Sequence, residues 1–318
     1  MRRVLVTGGA GFIGSHLVEA LLAEGWAVRV LDNLSTGRRE NLAAVEGRYE
    51  WMEGDIRDPA TVARAVEGVD AILHEAAMVS VPLSVERPAE CHAINLVGTL
   101  HLLEAARMAG VRRLIMAGTA AAYGNNPELP KRETMPPEPE SPYGATKVAA
   151  ELYLRAWARM GGLETASLRY FNVYGPRQDP RSMYSGVISR FVEALSTGEP
   201  PTVYGDGTQT RDFIYVGDVV RANLLALRAP RLEPGALFNI GTGRSVSLLE
   251  LLETLSGVAG RAMAPRFAPA RAGDVTHSRA DPGRARALLG FEATTSLAKG
   301  LARLWQWRHT TQPRKASP

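Results

Sequence analysis

One cysteine in 318 residues removes two options at the outset. Cys91 has no partner for an intramolecular disulfide and no companions for a thiolate metal site, so it reads as inert packing. The six histidines, at 16, 74, 92, 101, 277 and 309, show neither H-x-x-x-H nor H-x-H spacing, and no metal is expected. No run reaches the ~18 apolar residues that a membrane-spanning helix needs. The chain passes from Met1-Arg2-Arg3 straight into Val4-Leu5-Val6, a strand pattern rather than a signal-peptide core, so a cytoplasmic location is the expectation. Blocks of lysine and arginine that would grip nucleic acid are missing, as are internal repeats and low-complexity tracts. The net charge of +4 is modest and rests largely on arginine. That excess fits a phosphorylated ligand, whose oxygens a guanidinium fork matches, and fits a GC-rich genome equally well.

What is present is the composition of a soluble globular protein, 45% hydrophobic and 22% charged, long enough for one large domain or two ordinary ones. Apolar runs at 4–7, 27–32, 49–53, 71–75, 113–117 and 165–170 alternate with helical patterns at 14–24, 59–67, 88–109 and 143–160. Such alternation predicts an α/β fold, a doubly wound parallel sheet with crossover helices on both faces. Past residue 170 the pattern breaks at Gly175-Pro176-Arg177-Gln178-Asp179-Pro180-Arg181, and shorter elements follow at 202–204, 213–216 and 237–240. The expected division is a nucleotide-binding domain over 1–171, its sheet extended by return segments within 206–242, and a smaller α/β substrate-binding domain over 172–318.

Directly after the first strand comes Thr7-Gly8-Gly9-Ala10-Gly11-Phe12-Ile13-Gly14. Gly8, Gly11 and Gly14 permit a tight turn, close approach of backbone to a pyrophosphate, and tight helix-to-strand packing, with free helix N–H groups facing the phosphates. Asp32, at the end of the second strand, would accept from the adenosine ribose hydroxyls and favour NAD over NADP. Arg38 and Arg39 keep NADP open. Asp55 either reaches the adenine or caps the helix that starts at Pro59.

The stretch Ser141-Pro142-Tyr143-Gly144-Ala145-Thr146-Lys147 puts a phenol and an ammonium four residues apart on one helix face. A cation within ~4–6 Å favours the phenolate, which makes Tyr143 a general base; an ordinary solvated Tyr/Lys pair is the alternative.

Together with His74-Glu75-Ala76-Ala77, Asn95, the stretch 119–124 and Arg169-Tyr170-Phe171-Asn172-Val173-Tyr174-Gly175, these motifs resemble the extended short-chain dehydrogenase/reductases, and more narrowly the UDP-hexose 4-epimerases. The resemblance runs from the glycine loop to His277-Ser278-Arg279-Ala280-Asp281 and implies a Rossmann domain binding NAD. It implies that Tyr143 takes the proton from the sugar O4, that Lys147 lowers its pKa and binds the nicotinamide ribose, and that Thr119 hydrogen-bonds the sugar hydroxyl. Further cofactor contacts are implied for Phe12, Ile13, Asn33, Asp55 and Ile56, and for Ala76, Ala77, Asn95, Tyr170 and Phe171. On the substrate side, Asn172, Arg211 and Arg271 would meet the diphosphate, Asp274 the uridine ribose and Tyr204 the uracil. Ser80, Val187 and Ser278 match sugar-pocket positions. The implied reaction is transient oxidation at C4, with hydride returned to the other face of a 4-ketose and no net redox change.

Two departures from the family pattern matter. Ala120 and Ala121 stand where dehydratases carry Asp-Glu and decarboxylases an acid, so a leaving hydroxyl has no proton donor there and epimerisation is favoured. Gly118 replaces a polar residue and puts a secondary contact near the nicotinamide in doubt. Ser278, aligned with a position where a bulky Tyr excludes acetamido sugars, and the segment 178–188 point to UDP-GlcNAc/UDP-GalNAc as well as UDP-glucose/UDP-galactose. The readings held beside this one are a nucleotide-sugar lyase or reductase, a UDP-glucuronate 4-epimerase, and a redox-sensing NAD-binding regulator. In relatives, helices equivalent to 88–109 and 143–160 form a dimer interface, so a homodimer is expected; packing of their apolar faces on the sheet alone is the alternative.

Overall fold

The computed structural model describes residues 2–179, 186–270 and 275–311. Strands β1 (Arg3–Thr7), β2 (Ala27–Asp32), β3 (Glu50–Glu53), β4 (Ala71–His74), β5 (Arg113–Thr119) and β6 (Glu164–Tyr170) form a parallel sheet with a seventh strand, Ala236–Ile240. The order is 3-2-1-4-5-6, followed by the seventh strand, which pairs with β6 from Ala236 opposite Ala166 to Ile240 opposite Tyr170. Alternate residues of each strand enter opposite layers. Val4 and Val6 pack on one side with Leu17, Leu21 and Val219, whereas Leu5 packs on the other with Leu102, Leu103 and Ala150. Strands buried on both faces read as continuous apolar runs, and this is why they were legible. The order in which strands are added to the sheet reverses between β1 and β4, and a crevice at the carboxyl ends of those strands is where an open α/β sheet binds its ligand.

The first-face helix α1 (Phe12–Ala23) starts at the glycine loop, and α2 (Pro59–Val66) starts at Asp58, whose carboxylate accepts from the Ala60 and Thr61 amides. The predicted helix over 88–109 is not one helix. Past α3 (Val81–Glu86) come α4 (Pro88–His92), a π-helical turn over Ala93–Val97, and α5 (Gly98–Met108). The widened turn carries Asn95, and such π turns gather at functional sites. Helix α6 (Pro142–Met160) begins as capping rules require: Ser141 accepts from the Gly144 amide at 3.2 Å and Pro142 occupies the first turn.

Two arginines on sheet strands close the far ends of helices. Arg29 on β2 donates to the Arg64, Ala65 and Glu67 carbonyls at the C-terminal end of α2. Arg113 on β5, 1% exposed, donates to the Ala226, Leu227 and Ala229 carbonyls and pairs with Glu164. Last-turn carbonyls have no partner within their helix, and a buried guanidinium fork satisfies three of them at once.

The remaining elements form a separate apolar cluster. β7 (Asn172–Tyr174), α7 (Val187–Thr197), β8 (Thr202–Tyr204), β9 (Thr210–Arg211), β10 (Phe213–Tyr215) and α8 (Val216–Arg228) lead to the seventh sheet strand, β11. Then follow β12 (Val246–Ser247), α9 (Leu248–Ala259), β13 (Arg266–Ala268), α10 (Gly283–Leu289) and α11 (Leu297–Thr311). Phe191, Leu195, Val203, Leu251, Leu255 and Leu301 build that cluster, while α8 and α10 pack back against the sheet.

Candidate active site

The glycine loop lies against the end of β4. Gly8 has φ +67°, and a Cβ there would stand 2.7 Å from the Ala76 amide nitrogen; at Gly14 it would stand 2.2 Å from the Gly8 carbonyl oxygen. Backbone therefore lies where side chains would otherwise be, the cradle a pyrophosphate needs. Asp32 at the end of β2 holds the outer edge, its carboxylate accepting from the Ala10 amide at 2.9 Å and the Leu34 amide at 2.8 Å. Burial pushes its pKa up and those two amides oppose the rise.

The arginines that left NADP open are engaged. Arg38 pairs with Asp179 at 2.5 Å, and Arg39 pairs with Glu46 while lying over the Trp51 ring. Asp55 is not the cap of α2, which is Asp58. Its carboxylate takes Arg57 at 2.7 Å and Asn33 at 2.8 Å, and the Arg57 hydrogen bonds hold its pKa down at about 2. Arg57 is thus half of an ion pair. Ile56 is buried against Gly98, Ala76 donates its amide to Thr7, and Phe171 packs on Tyr123. Phe12 and Ile13 open α1 and pack on the smaller cluster, and Ala77 follows Ala76 in the loop after β4.

Asn95 is engaged within the protein. Its carbonyl accepts from the Met78 amide, and its amide group donates to the Met78 carbonyl and to Thr146. At 1% exposure it ties the loop after β4 to α6.

The chemistry-bearing residues converge where β5 meets α6. Thr119 ends β5, accepts from the Ala121 amide, and hydrogen-bonds the Tyr143 phenol. Ser84 on α3 accepts from the Tyr143 amide at 3.1 Å, pinning the first turn of α6. One turn later Lys147, 2% exposed, donates from Nζ to the Ala117 carbonyl at 2.9 Å. Burial raises the Tyr143 pKa, with the Thr119 hydrogen bond opposing the rise. Burial also acts on the lysine, pulling it down to about 8. The Thr119 hydrogen bond favours the phenolate, and the desolvation of both partners keeps their protonation sensitive to what surrounds them.

The missing side chain at 118 has a steric reason. A Cβ on Gly118 would meet the Ser167 hydroxyl at 2.4 Å and the Leu168 carbonyl at 3.1 Å, so the neighbouring strand fills that space. Ser167 donates to Glu151, which also takes Arg169 at 2.6 Å.

Among the expected substrate ligands, Asn172, Arg211 and Ser278 are gathered around β9. Asn172 donates to the Asp212 carbonyl, Arg211 to the Thr210 and Thr276 carbonyls, and the Ser278 amide to the Thr210 carbonyl. Asp212, fully buried and absent from the sequence reading, holds this group together through Thr242, Gly243 and Ala280. Tyr204 ends β8 and Val187 opens α7. Ser80 caps α3, its hydroxyl oxygen accepting from the Leu83 amide, which leaves its O–H free to donate. Arg271, Asp274 and residues 180–185 of the 178–188 segment lie outside the described residues. Glu75, inside the His74-Glu75-Ala76-Ala77 motif, accepts from the Tyr170 phenol at 2.8 Å, a contact the sequence did not reveal.

A doubly wound sheet with a glycine cradle, an acid at the end of β2 and a Tyr/Lys pair beside β5 defines a nucleotide-cofactor enzyme of the dehydrogenase/reductase class. Residues 4–241 match the model of the NAD dependent epimerase/dehydratase family, and the chain belongs to it. It is 43% identical to the UDP-glucose 4-epimerase of Mycolicibacterium smegmatis, covering 95% of this chain and 96% of that protein. Among solved structures it is similar to the Thermotoga maritima UDP-glucose 4-epimerase with UDP-glucose, at 41% identity and TM-score 0.92, covering 97% and 99% of the two chains. It is also similar to the Methanobrevibacter ruminantium UDP-N-acetylglucosamine 4-epimerase in complex with UDP-N-acetylmuramic acid, at 35% identity and TM-score 0.93, covering 98% and 99%.

Proposed function

We propose that this protein interconverts C4 epimers of UDP-sugars, UDP-glucose with UDP-galactose and UDP-GlcNAc with UDP-GalNAc, using a resident NAD. The observation that carries this reading is the set Thr119, Tyr143 and Lys147 at one point of the sheet, followed by Ala120 and Ala121 rather than acids. The residues fit the cofactor. Gly8 and Gly14 leave the cradle open for its pyrophosphate, and Asp32 offers carboxylate lone pairs beyond the two amides for ribose hydroxyls. When bound, NAD supplies reversible hydride transfer at C4.

The chain's own side chains handle the proton. Tyr143 receives it from O4 and returns it, while Thr119 accepts or donates as the substrate oxygen changes between alcohol and ketone. Lys147 provides a positive charge and a donor at the same point. With no carboxyl after Thr119, nothing there protonates a leaving hydroxyl, and the 4-ketose keeps its atoms.

Asn172, Arg211, Arg271, Asp274 and Tyr204 form the nucleotide end, and Ser80, Val187 and Ser278 the sugar end. The cofactor domain is residues 1–171 with return segments within 206–242, and the substrate domain is residues 172–318. No helix among the described residues is long and apolar enough to cross a membrane. The protein acts in the cytoplasm on a small molecule rather than on nucleic acid, as a homodimer. Leu152 and Met160 on α6 and Met108 on α5, all more than half exposed, support that pairing.

The purified protein, incubated with UDP-glucose, UDP-GlcNAc and UDP-glucuronate without added cofactor, is expected to yield 4-epimers of unchanged mass from the first two. A product of different mass, or no turnover of any of them, would sink the reading.

A further inference from the structure

A buried ammonium needs a counter-charge, and the direct hydrogen bond that Lys147 makes is to a neutral carbonyl, that of Ala117. Three acidic groups act on it: Glu75 in the loop after β4, Glu151 on α6 and the Cys91 thiol on α4. Glu151 is already held by the Arg169 guanidinium at 2.6 and 3.0 Å and by Ser167. Cys91 contacts Asn95 and Thr146. Glu75 differs from both. It makes no ion pair among the described residues, and its Oε1 ends a chain in which Asn223 Nδ2 donates to Tyr170 Oη at 2.7 Å and Tyr170 donates to Glu75 at 2.8 Å. The chain crosses from α8 through the end of β6 to the loop after β4, over the strand that carries Ala117.

We propose that Glu75 is a positioning residue for the proton-handling pair, fixed by the Asn223–Tyr170 chain so that its carboxylate serves as the counter-charge that keeps Lys147 an ammonium. The proposal rests on reading Tyr143 and Lys147 as that pair. It makes Tyr170 a strut for the acid in addition to any cofactor contact.

The surrounding groups agree in direction. Burial lowers Lys147 to about 8, and Glu75 is the largest charge opposing that fall. Burial raises Glu75 to about 7, opposed by Tyr170 and Lys147. Glu75 also raises Tyr143 on α6 and Tyr170 on β6, whereas Lys147 lowers the neighbouring His74 on β4. The carboxylate and the ammonium each favour the charged form of the other.

The chain has four lysines, Lys131, Lys147, Lys299 and Lys315, against 33 arginines, so lysine labelled with 13C at Cε gives four NMR signals. Lys147 is assigned by its loss in Lys147→Arg. In the full-length holoenzyme, Glu75→Gln is expected to lower the Lys147 midpoint by about one unit, a tenfold change in acidity, and to leave Lys299 unmoved. The alkaline limb of kcat should move to lower pH by the same amount. Glu75→Asp, which keeps the charge, should restore most of the midpoint, and Tyr170→Phe should move it part of the way. An unchanged midpoint in Glu75→Gln, or equal shifts in the Asp and Gln variants, overturns the proposal. Because the titration is read without substrate, it is independent of whether UDP-sugars turn over, so the two readings fail separately.

Discussion

Gly118 and Ser167 compete for one place. A side chain at 118 would overlap the Ser167 hydroxyl and press on the Leu168 carbonyl, so Gly118→Ser is expected to destabilise the fold by about 1–3 kcal/mol in urea unfolding. Adding Ser167→Ala should recover much of that loss, since the 2.4 Å contact is with the hydroxyl; no recovery would place the strain in the backbone. His74 makes a pH prediction at the same scale. It is buried between the Thr7 hydroxyl at 2.7 Å and the Thr99 hydroxyl at 3.0 Å, and burial holds it down at about 3. Its folded pKa lies below its unfolded one of 6.5, so the stability it confers is complete above pH 6.5 and declines as pH falls toward 3. The decline is about 1.4 kcal/mol per unit. Glu75, raised from 4.5 to about 7, works in the opposite sense between those values, its contribution falling as pH rises. Urea unfolding of His74→Gln across pH 4–6.5 should therefore lose the acid slope that the wild type owes to His74, and an unchanged slope would refute the assignment.

At the scale of elements, the strands were readable because burial on both faces leaves an unbroken apolar signature, and α6 because Ser141-Pro142 announces its start. The helix over 88–109 was readable only as a periodicity. Its π turn depends on Asn95 reaching Met78 and Thr146, partners 17 and 51 residues away, which no local pattern encodes. The arginine caps are similarly non-local, with Arg113 reaching helix carbonyls 113–116 residues on. Arg113→Met keeps the length but leaves those carbonyls and Glu164 without their donor. It should lower stability by about 3 kcal/mol or more, read as an earlier urea midpoint, because buried acceptors lose their partner.

For the whole molecule, the question is which sugars fit. Ser278 is tied by its amide to Thr210 on β9, beside Arg211 and the Asp212 hub, so a change of its side chain leaves the backbone anchor in place. Ser278→Tyr is expected to reduce kcat/KM for the acetylated sugars at least tenfold while sparing UDP-glucose. Equal losses on both classes would mean general damage to the segment around Thr210.

Much of the site was visible in the chain because its chemistry sits in short runs: the glycine loop, Asp32, the Tyr143/Lys147 spacing, and the alanines after Thr119. Those runs determine which groups stand on which turn, since a helix face or strand end is a local property of the backbone. Tertiary structure decided how those groups are charged. Burial raises Tyr143, the Thr119 hydrogen bond opposes it, and Glu75 and Glu151 act on the lysine. Desolvation and long-range charge depend on what the whole fold brings near, so the side chains of the proton-handling pair were written in the sequence, and their protonation was settled only by packing.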